Sequence, residues 1–137
     1  MAAQRVSAWL PVIAWAAVIF ALSSIPGLNT GLGTWDLVLR KLAHAAEAAI
    51  LAVLVRRATR SEPIALVVSA LYFATDELHQ SFVPGRVGSI TDWAIDLGGI
   101  VIALACLRAW RQRSSARLPR RSTQPKRPAS LNPSRER

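Results

Sequence analysis

The N-terminal part of the chain contains no charged side chain from residue 6 to residue 35. Within it, residues 6–22 are almost all apolar, and a helix of roughly 17–25 residues crosses a hydrocarbon core about 30 Å thick. A Ser-Ser-Ile-Pro-Gly sequence at residues 23–27 then ends the run. A cleaved signal peptide is the competing interpretation, but the apolar run is long for one. We therefore predict a transmembrane helix that is retained.

Three further segments are long enough to cross a membrane, at residues 37–55, 63–82 and 90–110. Each carries ionisable residues, so a soluble helical bundle is an alternative. Against it, residues 63–75 and 97–107 are apolar around the whole helix, which is not typical of a surface helix in a small soluble domain. The prediction is an all-α integral membrane bundle of four transmembrane helices that occupies residues 1–110.

Residues 111–137 form a segment of different character, with nine Lys or Arg residues and one Glu. This segment therefore carries most of the net charge of +9. It is rich in Arg, Ser and Pro and cannot bury enough apolar surface to fold, so we predict a disordered basic tail. Attraction to anionic membrane lipids, about 1 kcal/mol per basic residue near the surface, is preferred to nucleic-acid binding, and no nucleic-acid partner is predicted.

The connections between the predicted helices differ in charge. Basic residues precede the first helix (Arg5), lie between the second and third (residues 56–60) and follow the fourth, whereas the other two connections contain only Arg86. Cytoplasmic loops carry the excess of Lys and Arg. We therefore expect a multi-pass protein of a bacterial-type cytoplasmic (inner) membrane, with both termini in the cytoplasm.

This orientation places all the intramembrane ionisable residues in the outer half of the bilayer. Such residues are costly within a membrane and usually pair with each other or mark a functional pathway. Salt bridges that hold three helices together are the structural alternative, although buried ion pairs are not strongly stabilising. On the fourth helix, Asp92 and Asp96 share a stripe with Gly99, which favours close helix approach. The pattern predicts a polar site.

The residue types indicate possible roles at this site. His44, Asp76 and Glu77 are candidates for acid–base chemistry. Lys41 and Arg86 could bind an anion, with Arg86 in a Pro-Gly-Arg turn suited to bidentate contact. The supporting polar cluster is Glu47, Gln80, Asp92 and Asp96, of which the two aspartates would position the cations.

A metal site is compatible with the ligand types but not with a known spacing. His44 with Glu47, Asp76 or Glu77 could bind zinc, yet no pair has the spacing of a motif such as His-Glu-x-x-His. We therefore predict neither a metal nor a cofactor.

Several of these residues lie in motifs that resemble the VanZ-like family of small membrane proteins. The motifs are Lys-Leu-Ala-His-Ala-Ala-Glu at residues 41–47, Asp-Glu-Leu-His-Gln-Ser-Phe-Val-Pro-Gly-Arg at 76–86, and Asp92 and Asp96 before a Gly-Gly pair. The Ser-Ser-Ile-Pro end of the first helix is also similar, and the likeness covers residues 10–108. An aromatic residue often follows the glutamate of the second helix in that family, whereas this chain has Ala48.

The resemblance implies a multi-helix membrane fold and a role in the cell envelope, because the family takes its name from a component associated with low-level teicoplanin resistance. Two hypotheses follow. In the first, an outer-leaflet pocket recognises an anionic lipid headgroup or a lipid-linked cell-wall precursor. In the second, the protein is a non-enzymatic scaffold or partner-binding module. A proton pathway is disfavoured because residues 48–55 and 97–107 contain no polar relay. The sequence assigns neither a reaction nor an oligomeric state.

Overall fold

The structure is a computed structural model that describes residues 2–26 and 34–116, with side chains described from Ser7 onward. The described residues form four α-helices and no strand, which confirms the all-α prediction. The helices are α1 (Ala2–Ser23), α2 (Thr34–Thr59), α3 (Glu62–Gln80) and α4 (Ile90–Ala116).

Contacts between helices show that α1 and α3 run in the same direction. Tyr72 donates a hydrogen bond to the Ala16 carbonyl, and one turn further along α3 Asp76 accepts one from Ser23, at the end of α1. A connection of only two residues, 60–61, reverses the chain between α2 and α3.

The pair α2 and α4 is parallel for the same kind of reason. Lys41 contacts Asp92, and one turn further along both helices His44 contacts Asp96. The four helices therefore alternate in direction along the chain. In the described part, α2 and α3 each contact all three other helices, whereas α1 and α4 do not contact each other.

Each helix contributes one stripe of side chains to the core, with the spacing of three and four residues that places side chains on one helix face. Small residues on these stripes allow close approach. A Cβ atom on Gly99 of α4 would overlap the backbone carbonyl of Ala45 on α2. The buried apolar side chains of the four helices are Val12, Ile19, Ala48, Leu51, Ala52, Val55, Ala65, Phe73, Ile100 and Leu104.

Polar and apolar side chains are distributed unusually for a small domain. Every helix exposes large apolar side chains, for example Ile13 on α1, Leu42 on α2, Leu71 on α3 and Ile102 on α4, which are all more than 60% exposed. By contrast, several polar side chains are buried: Ser23, His44, Ser69, Asp76, Glu77, Gln80 and Asp96. Large exposed apolar surfaces mark contact with a membrane or another protein.

Helix α4 is the one described helix that is both long and apolar enough to cross a membrane. Only 22% of its most apolar 18-residue window is buried, whereas the core helix of a soluble protein is mostly buried. Residues Ser7–Ser23 form a shorter apolar helix. The structure therefore shows four helices, but their length and composition do not establish that all four cross a membrane.

Helix α4 continues to Ala116, so residues 111–116 are helical where the sequence predicted disorder. The hydroxyl groups of Ser114 and Ser115 bond to carbonyls one turn earlier, and Arg, Gln and Ala in this segment are good helix formers. At its end α3 is shorter than predicted and stops at Gln80. Residues 27–33 and the rest of the predicted tail, 117–137, lie outside the described residues.

Candidate functional site

The predicted polar residues come together at one end of the helix bundle. This end contains the last turn of α1, residues 41–47 of α2, residues 76–80 of α3 and residues 92–96 of α4. The alternating helix directions produce this arrangement, because the C-terminal ends of α1 and α3 then lie beside the N-terminal halves of α2 and α4. The structure thus places these side chains at the same end of the bundle, and a functional site there, like its depth in a bilayer, stays a prediction.

Asp76 is buried and held by two hydrogen bonds. The Ser23 hydroxyl donates to Oδ1 at 2.7 Å, and the Gln80 side-chain amide donates to Oδ2 at 2.9 Å. Both carboxylate oxygens therefore have donors. The sequence analysis did not assign Ser23 to the site, although its position at the polar end of an apolar helix was a signal for it.

Lys41 forms an ion pair with Asp92, with Nζ and Oδ1 2.7 Å apart. The two side chains are 34% and 24% exposed. The predicted role of Asp92 in positioning a cation of a binding site stays a prediction. The ion pair commits the ammonium group of Lys41 to a carboxylate, rather than leaving it open to an external anion.

His44 lies against Asp96, with Nδ1 and Oδ1 3.5 Å apart. Asp96 is completely buried. The sequence suggested His44 with Asp76 or Glu77 for proton transfer, and in the structure Asp96 is the carboxylate within ion-pair distance of His44. Glu77 is oriented by a backbone group, because the Ser89 amide donates to its Oε2 at 2.7 Å.

A cavity of about 160 Å³ opens beside these residues, between the end of α1, α2 and the end of α3. Leu22 and Ile25 contribute apolar wall. The charged and amide side chains that line it are Arg40, His44, Glu47, Asp76, Gln80 and Arg86. Lys41 does not line it, and its neighbour Arg40, which the sequence analysis did not select, takes that place.

The turn after α3 brings Arg86 to the cavity. Gly85 has φ of 77°, a backbone conformation that residues other than glycine rarely adopt. The Arg86 amide donates to the Val83 carbonyl at 3.1 Å. Within the described residues, the Arg86 side chain has no hydrogen bond or salt bridge. Arg40, in contrast, pairs with Asp36 at 3.1 Å and is half exposed.

His79 lies outside this cavity. Its Nε2 is 3.0 Å from the Ser24 hydroxyl, and its ring stacks on Phe20 with centroids 4.5 Å apart. These contacts attach the last turn of α3 to α1, so His79 contributes to the packing of the site end.

Comparison with known proteins gives one family. A family model described as VanZ/LLP1 matches residues 4–111. Neither a curated protein nor a solved structure matches the chain. The family match and the apolar helix α4 together point to a membrane protein. Because the matched region covers most of the chain and includes the whole polar cluster, the chain belongs to the VanZ family.

Proposed function

We propose that this VanZ-family protein crosses the bacterial inner membrane four times, with both termini in the cytoplasm and the polar end of the bundle in the outer half of the bilayer. The distribution of side chains supports this, because exposed apolar residues cover all four helices while ionisable residues are buried between them. The loop charges support the orientation, since Arg56 and Arg57 lie at the end of the bundle opposite Arg86.

The function we propose is recognition of an anionic headgroup, from a membrane lipid or a lipid-linked cell-wall precursor, at the outer face of the cell envelope. The observation that carries this proposal is the cavity with Arg86 at its wall and no ion pair to that side chain among the described residues. A guanidinium group presents several donors in a planar fork that matches phosphate and carboxylate oxygens.

The size of the cavity restricts its occupant. Pockets that enclose drug-sized ligands have volumes of about 300–1,000 Å³, whereas this cavity has about 160 Å³. It accommodates one charged group, such as a phosphate, and the remainder of the molecule would stay in the bilayer or outside it. The proposal is therefore headgroup recognition, not enclosure of a whole lipid-linked sugar.

The two predicted anion ligands have different tasks in this proposal. Arg86 is the proposed direct ligand, with Arg40 as a second basic group at the cavity. Lys41, which pairs with Asp92, would act indirectly by fixing α2 against α4. Acid–base chemistry would use His44, which lines the cavity, rather than Asp76, whose two oxygens are occupied by hydrogen bonds.

Binding to lipid nanodiscs tests the proposal directly. The purified full chain is inserted into nanodiscs that contain a trace of fluorescent phosphatidylglycerol in phosphatidylcholine, and enrichment of the labelled lipid at the protein is measured by energy transfer. Arg86→Gln should abolish the saturable, site-specific part of the enrichment, whereas the part attracted by the basic residues 111–137 should remain. Arg57→Gln is the matched control and should retain the enrichment, because Arg57 is exposed and lies at the end of α2 away from the cavity.

A second arm separates lipids from cell-wall precursors. A strain that lacks the gene is complemented with the same two variants, and sensitivity to envelope antibiotics is measured together with membrane abundance. Loss of complementation by Arg86→Gln at normal abundance, without any effect on lipid enrichment, would identify a cell-wall precursor. Normal complementation and normal enrichment by this variant would refute headgroup recognition.

The scaffold function is the second candidate, and the ion pair between Lys41 and Asp92 is the observation that favours it. If the charges only hold helices together, substitutions at the polar end should reduce function in proportion to abundance. The exchange Lys41→Asp with Asp92→Lys should then restore both. Arg86→Gln discriminates between the candidates, because a side chain without an ion pair contributes little to holding the bundle together.

A further inference from the structure

Three ionisable side chains from three different helices meet beside the cavity. They are His44 of α2, Glu77 of α3 and Asp96 of α4. One nitrogen or oxygen atom from each lies within 4.8 Å of the corresponding atoms of the other two. His44 and Glu77 are 7% exposed and Asp96 is completely buried.

These facing atoms are without hydrogen bonds. Among the described residues, His44 Nδ1, Glu77 Oε1 and both carboxylate oxygens of Asp96 are buried with no hydrogen-bond partner. Asp76, at the same end of the bundle, has a donor on each oxygen. His44 and Asp96 are within ion-pair distance of each other, at 3.5 Å, but Glu77 adds a second buried carboxylate. Proteins normally pair buried charges or use them to coordinate metals.

We infer that His44, Glu77 and Asp96 form a binding site for a divalent transition-metal ion of the zinc type. An imidazole nitrogen with two carboxylate oxygens is a donor set that zinc accepts. Two carboxylates with a neutral imidazole also balance the charge of a divalent ion, which lowers the cost of burying all of them. This site goes beyond the proposed headgroup recognition and does not depend on it.

The spacing of one ligand pair, His44 and Asp96, fits this ion. Zinc has ligands at about 2.0–2.2 Å in a tetrahedral arrangement, which places neighbouring ligand atoms about 3.3–3.6 Å apart. The distance between His44 Nδ1 and Asp96 Oδ1 is 3.5 Å, which is long for a hydrogen bond between these groups. The pair is thus spaced as two ligands of one ion.

A backbone group supports the third ligand. The Ser89 amide donates to Glu77 Oε2 at 2.7 Å and leaves Oε1 for the cluster. Outer hydrogen bonds of this kind orient ligands and are a regular part of metal sites. Gly88 belongs to the same arrangement, because a Cβ at that position would overlap the Glu77 carbonyl and displace the loop.

Three protein ligands leave the fourth tetrahedral position for water or another oxygen. His44 also lines the cavity of about 160 Å³, and Glu77 lines a separate, larger cavity of about 380 Å³. Two of the three cluster residues thus border a cavity. An open position is typical of zinc sites that bind or activate small molecules rather than purely structural ones.

Metal binding to the purified full chain tests the inference. The protein is prepared in detergent without a polyhistidine tag, stripped with a chelator and titrated with Zn²⁺, and the bound metal is quantified. The wild type should bind one ion per chain. Glu77→Gln and Asp96→Asn should weaken binding by at least about 100-fold, since even the loss of an outer-shell partner costs about 10–100-fold.

The chain offers close controls. His79→Gln and Cys106→Ser remove the other histidine and the single cysteine, and neither residue belongs to the cluster. Both variants should bind Zn²⁺ as the wild type does. Binding that disappears in these controls, but persists in Glu77→Gln and Asp96→Asn, would overturn the assignment.

Substitution with Co²⁺ keeps the inference testable if the cluster variants do not fold. The wild type loaded with Co²⁺ should show the intense visible absorption bands of a four-coordinate ion, and X-ray absorption should show a single imidazole. Absence of stoichiometric binding of both ions by the folded wild type would refute the site. Since no lipid is present in these experiments, their outcome is separate from that of headgroup recognition.

Discussion

At the scale of single residues, the buried polar groups of this protein differ in how they are satisfied. Asp76 has a donor on each oxygen, whereas Asp96 has no hydrogen bond to the described residues although it is completely buried. Buried polar groups in folded proteins are almost always paired. The hydrogen-bonded Asp76 is therefore expected to stabilise the bundle. Asp96, which contacts His44 at 3.5 Å without a hydrogen bond, is expected to have a role that needs an additional partner.

The hydrogen bond from Ser23 to Asp76 should contribute measurably to stability. Ser23→Ala removes the donor to a buried carboxylate, and hydrogen bonds to charged groups are worth about 1.5–3 kcal/mol. We expect a loss of that size in the free energy of unfolding, measured in mixed micelles with increasing denaturing detergent. Ser24→Ala is the comparison variant, since its hydroxyl bonds to a carbonyl and to the His79 ring rather than to a carboxylate, and its loss should be about 1 kcal/mol. Equal losses in the two variants would contradict the assignment.

The ion pair between Lys41 and Asp92 should show energetic coupling. A double-mutant cycle with Lys41→Gln and Asp92→Asn should give about 1 kcal/mol, the upper end of the range for exposed pairs, because each side chain is at most about a third exposed. The cycle for Arg40→Gln and Asp36→Asn, an i,i+4 pair on α2, should give about 0.3–0.5 kcal/mol. Coupling near zero for the first pair would mean that its charges do not hold α2 to α4.

The sequence could predict which residues lie at the same end of the bundle, but not which of their atoms are in contact. Helix periodicity placed Asp92 and Asp96 on one stripe, and both face α2 in the structure. The choice of partner depends on the rotation and depth of the neighbouring helix, which periodicity does not determine. This is why Asp96 rather than Asp76 lies nearest His44, and why Arg40 rather than Lys41 lines the cavity.

At the scale of helices, the approach of α4 to α2 depends on the absence of a side chain at one position. Gly99→Ala would introduce a Cβ that overlaps the Ala45 carbonyl, a backbone atom that cannot move without moving α2. We expect this variant to lose stability and to disturb the contact of His44 with Asp96 one turn away. Thermal unfolding in detergent measures the first effect.

Gly98 is an adjacent control for that prediction. A Cβ at Gly98 meets no atom within 4 Å, so Gly98→Ala should be neutral or stabilising, by up to about 1 kcal/mol, because alanine favours the helix over glycine. A Gly99→Ala variant as stable as Gly98→Ala would show that the two helices do not pack this closely.

Prediction of the helices from the sequence succeeded for their order and was less accurate for their ends. One long uncharged run and three further mostly apolar segments that carry ionisable residues predicted the existence and order of all four helices. Their ends were less accurate. Charge was taken as the end of α4 at residue 110, yet arginine is a good helix former and the helix continues to Ala116.

At the scale of the whole molecule, the arrangement is the reverse of a soluble domain. The site end is polar inside and apolar outside, since Asp96 is buried while Leu42 and Leu78 on neighbouring helices are more than 60% exposed. In water, both the burial of an ionisable side chain and the exposure of large apolar side chains would be unfavourable. In a bilayer the exposed apolar side chains contact lipid, and helices satisfy their own backbone groups. The membrane is therefore the environment in which this fold is physically consistent.

Labelling of single cysteines in intact cells tests the four-span arrangement. The background is Cys106→Ser, which removes the native cysteine, and the probes are Val87→Cys, Arg57→Cys and Ser115→Cys, all at exposed positions. A membrane-impermeant maleimide should label position 87 in intact cells. Positions 57 and 115 should react only after permeabilisation, because the basic residues around them favour the cytoplasm.

Position 57 carries the decisive information in this experiment. A protein in which α4 alone crosses the membrane would still place positions 87 and 115 on opposite sides, but position 57 would then lie on the same side as 87, since α2 and α3 would not cross. Labelling of 57 and 87 together in intact cells would therefore reject four spans. Protection of 57 with labelling of 87 requires α3 to cross, and it would place the cavity at the outer face, where an envelope ligand can reach Arg86.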